Sequence, residues 1–340
     1  MVLSPLHTNE QLALYEYTPP DGKMAGRVFI ASTPQTRGIC NDPLLTGLRY
    51  TSSLSTASAT VLKCLRQMGV LNLKETSTTV LNILRGGLNF GLREALGVAY
   101  DWNDPPSTFI SAQRARDARS PEEWHITENS YRKVHLGSSN QIVFGDVVAT
   151  GTSLEYGLGE LARAAEAQKV TIPEVVFFTI GGPRSHEIIE RLHTNAAWRA
   201  CGLKSSVVVF FEGIFSVATP NTPITIKLSG TDLLRTASIL APEFIESQYE
   251  CPTYPIERCT IYDAGSRSFE ISEYLKDVRH YWEEVLKMAS SGFTFEELLK
   301  ERFPELDPRR FGPVTLGELA GRQVEALLQR GAPAGAPSHE

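Results

Sequence analysis

Residues 140–158 read "NQIVFGDVVATGTSLEYGL" and change character halfway. The apolar run at 141–145 predicts a strand, and the small, hydroxyl-bearing residues Ala149, Thr150, Gly151, Thr152 and Ser153 predict a turn. Beyond the turn Leu154, Leu158, Leu161, Ala162 and Ala165 fall on one helical stripe. A strand that turns into a helix N-terminus leaves backbone N–H groups unsatisfied, and the helix dipole there favours negative charge. Thr150, Thr152 and Ser153 add hydroxyl donors, and Gly151 lets the backbone approach a phosphate or take a positive φ. Asp146 falls at the carboxyl edge of the strand. A carboxylate repels phosphate, so Asp146 is read as an acceptor for sugar hydroxyls or as a holder of Mg²⁺. Phosphate, sugar and metal contacts together describe a ribose phosphate. No GxxxxGK[ST] occurs in the chain, which argues against a P-loop nucleotide site.

Working outward, short β-rich runs alternate with amphipathic stretches, the pattern of βα units around a mostly parallel sheet. Strands are expected at 27–31, 78–84, 107–112, 141–145, 174–180 and 206–211, several apolar at nearly every position as strands covered on both faces require. Helices are expected after Gly87, after Ser153 and from about Ser185 to Leu192. "VLNILRGGLNFGLREAL" (80–96) repeats the strand, turn and helix theme, with Arg85 able to chelate phosphate bidentately beside Gly86 and Gly87. Residues 111–137 are long, polar and rich in arginine, the composition of a functional loop or a solvated one. Arg114, Arg116, Arg119, Arg132, Lys133 and His135 are its candidate cations.

The last quarter differs. In "EISEYLKDVRHYWEEVLKMAS" (270–290) Ile271, Leu275, Val278, Trp282, Val285 and Leu286 share a helical face. Thr294-x-x-Glu297 and Thr315-x-x-Glu318 each match a capping box opening a further helix. The expected organisation is an α/β domain over 1–270, a helical extension over 271–330 and a disordered tail at 331–340. Within the first, residues 111–137 are a flexible loop and 211–235 an insertion.

Composition narrows the class. A net charge of -6 favours neither a nucleic-acid partner nor an anionic membrane surface, and no run is long and apolar enough to span a bilayer. No signal peptide is apparent, and cysteines 40, 64, 201, 251 and 259 lack metal-type spacing. They are read as reduced thiols in a cytoplasmic protein.

"IVFGDVVATGTSL" resembles the phosphoribosyl pyrophosphate (PRPP) motif of type I phosphoribosyltransferases: four apolar residues, two acids, two apolar residues, a small residue, then T-G-x-[ST]. Asp146 stands at the second acidic position and Gly145 at the first, a departure. Uracil phosphoribosyltransferases also keep one acid of the pair, at the other position. "ILRGGL" is similar to their "ILRAGL" segment, and "YDAGSRSF" (262–269) to their C-terminal "GDAGDR-x-F" segment, without its glycine-rich lead-in. The resemblance covers about residues 75–270. It implies a mostly parallel sheet flanked by helices with a hood, and transfer of a 5-phosphoribosyl group from PRPP to a nitrogenous base with Mg²⁺ and release of pyrophosphate. It implies that Ala149 to Ser153 bind the 5-phosphate and Asp146 the ribose hydroxyls. Arg85, Gly86 and Gly87, with Arg114 and Arg116 of the loop, are implied on the pyrophosphate.

The acceptor is expected near Tyr262, Asp263, Ala264, Gly265 and Arg267. Two further strand-end features are candidates for lining it: Glu212, which could accept hydrogen bonds from a nitrogenous ring, and the glycine backbone of "IGGPR" (180–184). Uracil is the nearest acceptor, with other bases open. The C-terminal helices are expected to cover the core or to form a homodimer surface. A second class stays open: a non-catalytic PRPP- or nucleotide-sensing protein that kept the phosphate loop and lost one acid.

Overall fold

The structure is a computed structural model and describes residues 2–22, 24–116, 124–128, 130–226 and 230–331. Three strands open the chain: β1 (Val2–Thr8), β2 (Ala13–Thr18) and β3 (Arg27–Ser32). Then follow α1 (Pro34–Asn41), α2 (Gly47–Gln67), β4 (Thr78–Leu84), α3 (Leu92–Tyr100), β5 (Ser107–Ser111), β6 (Gln113–Arg116), β7 (Trp124–Glu128) and β8 (Arg132–Lys133). The central units are β9 (Ser139–Val148), α4 (Thr152–Gln168), β10 (Thr171–Gly181), α5 (Arg184–Leu192), α6 (Ala196–Ala200), β11 (Ser205–Val217) and β12 (Leu233–Leu240). The chain ends in α7 (Pro242–Ser247), α8 (Ala264–Phe269), α9 (Ile271–Ser290), α10 (Phe295–Arg302) and α11 (Leu316–Gly331).

Among the described residues one large sheet runs in the order β1-β2-β3-β11-β10-β9-β4-β5-β8, with β12 on β11. Every pairing from β3 to β5 is parallel, and the antiparallel pairings lie at the two edges and between β11 and β12. The protein is therefore mixed α/β with a large, mostly parallel sheet and helices. β9, β10 and β11 are apolar nearly throughout because neighbours cover both faces; Phe144 and Phe177 stack across β9 and β10 at 4.5 Å.

The expected central strands all form, and the differences from the sequence reading lie in what surrounds them. β1 and β2 extend one edge of the sheet as antiparallel strands, β2 burying Ala13, Leu14, Tyr15 and Tyr17. The helix α2 packs against α1, α3 and α8 with Tyr50, Leu54, Val61, Leu62 and Leu65 buried. Part of the expected 111–137 loop is a hairpin: β6 pairs antiparallel with β7, and β8 adds to the edge of β5. Backbone pairing holds these short polar segments, so composition alone did not announce them. The 211–235 segment is likewise partly strand, since β11 continues to Val217 and β12 returns along it.

The C-terminal helices are integral to the core. α9 buries Tyr274, Leu275, Val278, Tyr281, Trp282 and Val285, while Ile271, expected on that face, is 37% exposed. The Thr294 capping box forms: its hydroxyl accepts from the Glu297 N–H, and the Glu297 carboxylate accepts from the Thr294 N–H. Residues 332–340 of the expected tail lie outside the described residues. Among the described residues no helix is long and apolar enough to cross a membrane.

Candidate functional site

Parallel strands deliver their carboxyl ends to one edge, where ligands of open α/β sheets bind. The ends of β4, β5 and β9 surround a cleft of about 430 Å³. Its first wall is the turn after β9. Gly151 takes φ 79°, and a Cβ there would stand 2.3 Å from the Ile188 Cδ1, so conformation and space both demand glycine. The turn is thereby bent into the N-terminus of α4, whose first turn has no side-chain cap. Ala149, Gly151, Thr152 and Ser153 line the cleft, and Thr150 lies in the same turn with its hydroxyl 3.4 Å from that of Thr152. The Ser153 hydroxyl donates to the Ala112 carbonyl at 3.0 Å, tying the turn to the end of β5.

Asp146 lines the cleft at the end of β9, and one of its oxygens accepts from the Val147 N–H at 2.9 Å. That oxygen would lie 2.4 Å from a Cβ on Gly86, so the second turn must carry glycine for the carboxylate to lie where it does. Arg85 and Gly86 line the same cleft. The Arg85 guanidinium donates to Glu270 at 2.9 Å and lies 5.8 Å from the Phe269 ring centre. Gly87 is buried against Asn82 and supports the turn from behind. Position 145 is closed to any side chain. A Cβ there would meet the Phe90 ring at 2.4–2.8 Å, so a buried aromatic fills the space in which a second acid would begin.

The rest of the lining comes largely from the C-terminal part of the chain. Tyr262, Asp263, Ala264 and Gly265 belong to it. Asp263 is also the N-cap of α8, accepting from the N–H groups of Gly265 (2.9 Å) and Ser266 (3.1 Å). Behind it the Tyr262 hydroxyl donates to Glu257 at 2.8 Å, and the Trp282 indole donates to the same carboxylate at 3.0 Å. Burial pushes the Glu257 carboxyl up to about 7, against these hydrogen bonds and the nearby Arg235.

Three expectations do not meet the cleft. Arg267 is 1% exposed, and its guanidinium donates to the carbonyls of Leu45 (2.7 Å), Ile39 (3.0 Å) and Asp42 (2.7 Å). It anchors α8 to the connection between α1 and α2, so its role is architectural. Glu212 is fully buried beneath α1 at φ 65°, where it accepts from the Thr33 N–H and the Thr36 hydroxyl. Burial raises its carboxyl to about 7, against those hydrogen bonds. A Cβ on Gly181 would meet the Ser185 hydroxyl and one on Gly182 the β11 backbone, and neither glycine is among the residues lining the cleft.

The loop cations divide. Arg132 is committed to Glu160 of α4 at 2.5 Å. Arg114 and Arg116 have backbone positions in β6, but their side chains, like the whole of Arg119, lie outside the described residues.

The sequence reading missed Thr231, Asp232, Arg258 and Asp277, all on the cleft. Arg258 donates to both oxygens of Asp232 (3.0 and 3.1 Å) and to Asp277 (2.8 Å). Asp232 lay in the unmatched insertion and Asp277 on the polar side of α9, and no local spacing rule joins three residues so far apart. Among the described residues no group of three or more His, Cys, Asp or Glu side chains could hold a metal ion.

No protein-family model matches the chain, and no curated protein matches it in sequence. Among solved structures it is similar to an adenine phosphoribosyltransferase from Leishmania donovani, at 16% identity over 53% of this chain and 83% of that one, with a TM-score of 0.28. It is similar to the corresponding Trypanosoma brucei enzyme, solved with AMP, pyrophosphate and ribose-5-phosphate, at 14% identity, 54% and 83% coverage and TM-score 0.30. A hypoxanthine phosphoribosyltransferase from Trypanosoma cruzi follows at 14% identity, 59% and 86% coverage and TM-score 0.26. Likenesses this distant leave the chemistry to be argued from the residues of the cleft.

Proposed function

We propose that the chain is a phosphoribosyltransferase of the type I fold, moving the 5-phosphoribosyl group of PRPP to a nitrogenous acceptor. The observation that carries this reading is the convergence of two glycine-dependent turns on one cleft, with Asp146 between them. The Gly151 turn and the N-terminus of α4 offer backbone donors to a 5-phosphate, supplemented by Thr150, Thr152 and Ser153. Asp146 accepts from the ribose hydroxyls, and Arg85 with the Gly86–Gly87 turn receives the pyrophosphate. The Arg85–Glu270 pair is half-exposed, so it is weak in water and an incoming phosphate can replace it.

Displacement at C1 spreads positive charge on the ribose and negative charge on the departing pyrophosphate, so donors fixed around the leaving group lower the barrier. Asp146 is a hard oxygen donor suited to Mg²⁺ that takes its remaining ligands from substrate oxygens and water. Bound there, the ion would neutralise charge developing on pyrophosphate.

Position 145 favours a second reading, a PRPP- or nucleotide-sensing protein without turnover, because Phe90 occupies the place of one acid. Pyrophosphate release from PRPP and Mg²⁺ across a panel of free bases separates the two. Acceptor-dependent release that Asp146→Asn lowers at least tenfold supports the transferase. PRPP binding by calorimetry with no release from any acceptor supports the sensor, and absence of both overturns each.

A further inference from the structure

Within the transferase reading, on which this inference rests, the part of the cleft lined by Asp232, Arg258 and Asp277 carries information about the acceptor. Asp232 and Arg258 come from the 211–235 segment and from the residue before Cys259, and Asp277 comes from α9. Their side chains are 6%, 18% and 45% exposed, so the cluster is fixed at its Asp232 end and open at its Asp277 end. Arg258 spends two donors on Asp232 and a third on Asp277, and its guanidinium lies 5.5 Å from the Tyr262 ring centre. One guanidinium thus faces two carboxylates on this wall. Among the described residues four aspartates and two arginines line the cleft.

We infer that this wall selects an uncharged nitrogen heterocycle that presents N–H donors, and rejects rings bearing a carboxylate. Ile261 and Tyr262 supply an apolar surface for the flat ring, and the Asp277 carboxylate accepts from its N–H edge. Arg258 holds Asp277 in place, and with three of its five N–H donors serving two carboxylates it is a poor clamp for a ring carboxylate. In the transfer a ring nitrogen donates its lone pair to C1 and the C1–O bond breaks. Pyrophosphate leaves with the bonding pair, and the proton lost from the ring nitrogen passes to water. Asp277 takes no part in these bond changes; it positions the acceptor.

The test measures pyrophosphate release with adenine, hypoxanthine, guanine and uracil against orotate, nicotinate, quinolinate and anthranilate, with PRPP binding followed separately by calorimetry. Expected is release with at least one ring of the first set and with none of the second. Asp277→Asn, at a half-exposed position, is expected to raise the acceptor KM at least tenfold while kcat and PRPP affinity change less than about threefold. Turnover of a carboxylated ring, or an unchanged acceptor KM in Asp277→Asn, overturns the inference while the transferase stands. Loss of PRPP binding in the wild type overturns the transferase reading itself.

Discussion

Position 145 shows how a single residue limits the chemistry. In the resembling motif an acid precedes Asp146, and its absence is visible in the sequence; the reason for the absence is not. A Cβ at 145 would stand 2.4 Å from the Phe90 Cγ, and Phe90 is fully buried with its ring stacked 6.4 Å from that of Phe211. The ring therefore has no solvent to swing into. Gly145→Ala is expected to cost about 1–3 kcal/mol as an overpacked core, and Gly145→Asp more because a carboxylate is also buried. Denaturant midpoints check both. Adding Phe90→Ala to Gly145→Ala should return part of the loss, so the double variant is less destabilised than the two single costs together. Strict additivity would show that Phe90 is not what keeps position 145 empty.

At the scale of elements, α8 shows why some of the site was legible and some was not. The Gly151 turn and the Arg85 turn are readable because each is local: strand, glycine and helix follow one another, and parallel strands then place both turns at one edge. "DAGSR" was also noticed, but it read as a turn lining a base pocket. In the structure Asp263 caps a short helix and Arg267 reaches away from the cleft to three carbonyls between Ile39 and Leu45. No local pattern discloses a partner more than 200 residues distant, nor does one join Arg258 to Asp232 and Asp277, which are 26 and 19 residues from it. The two α8 residues should differ sharply on substitution. Asp263→Ala removes one cap and should cost about 1 kcal/mol. Arg267→Met strips the guanidinium from three buried or part-buried carbonyls, of which that of Asp42 still accepts from the Leu45 N–H, and should cost about 3 kcal/mol. Arg267→Lys should recover little, since one ammonium cannot match the planar fork that spans them. Chemical denaturation of the three variants measures the order; a Lys variant as stable as the wild type would refute the assigned geometry.

Across the whole molecule, burial of two carboxyls governs how stability responds to pH. Glu212, beneath α1, and Glu257, behind Tyr262, each have a folded-state pKa raised to about 7, primarily by burial. An unfolded glutamate titrates near 4.3. Between those values the folded chain holds protons that the unfolded chain has released, so ∂ΔG/∂pH for unfolding is negative there. Stability contributed by the protonated carboxyls is fully present below about pH 4, declines as pH rises, and is gone once pH passes through about 7. Each fully buried group accounts for a decline on the order of 3 kcal/mol across that window. Other carboxylates with lowered pKa values, such as Glu160 paired with Arg132 and Arg163, oppose the trend at the acidic end. The contribution is therefore isolated by difference. Glu212→Gln keeps an oxygen to accept from the Thr33 N–H and the Thr36 hydroxyl and carries no titratable proton. Relative to the wild type it should gain stability steadily from pH 5 to pH 7 and hold a constant advantage above that. Urea midpoints at half-unit pH steps provide the comparison. A difference that stays flat across the window would mean that Glu212 is already ionised in the folded chain, held by its donors despite its burial.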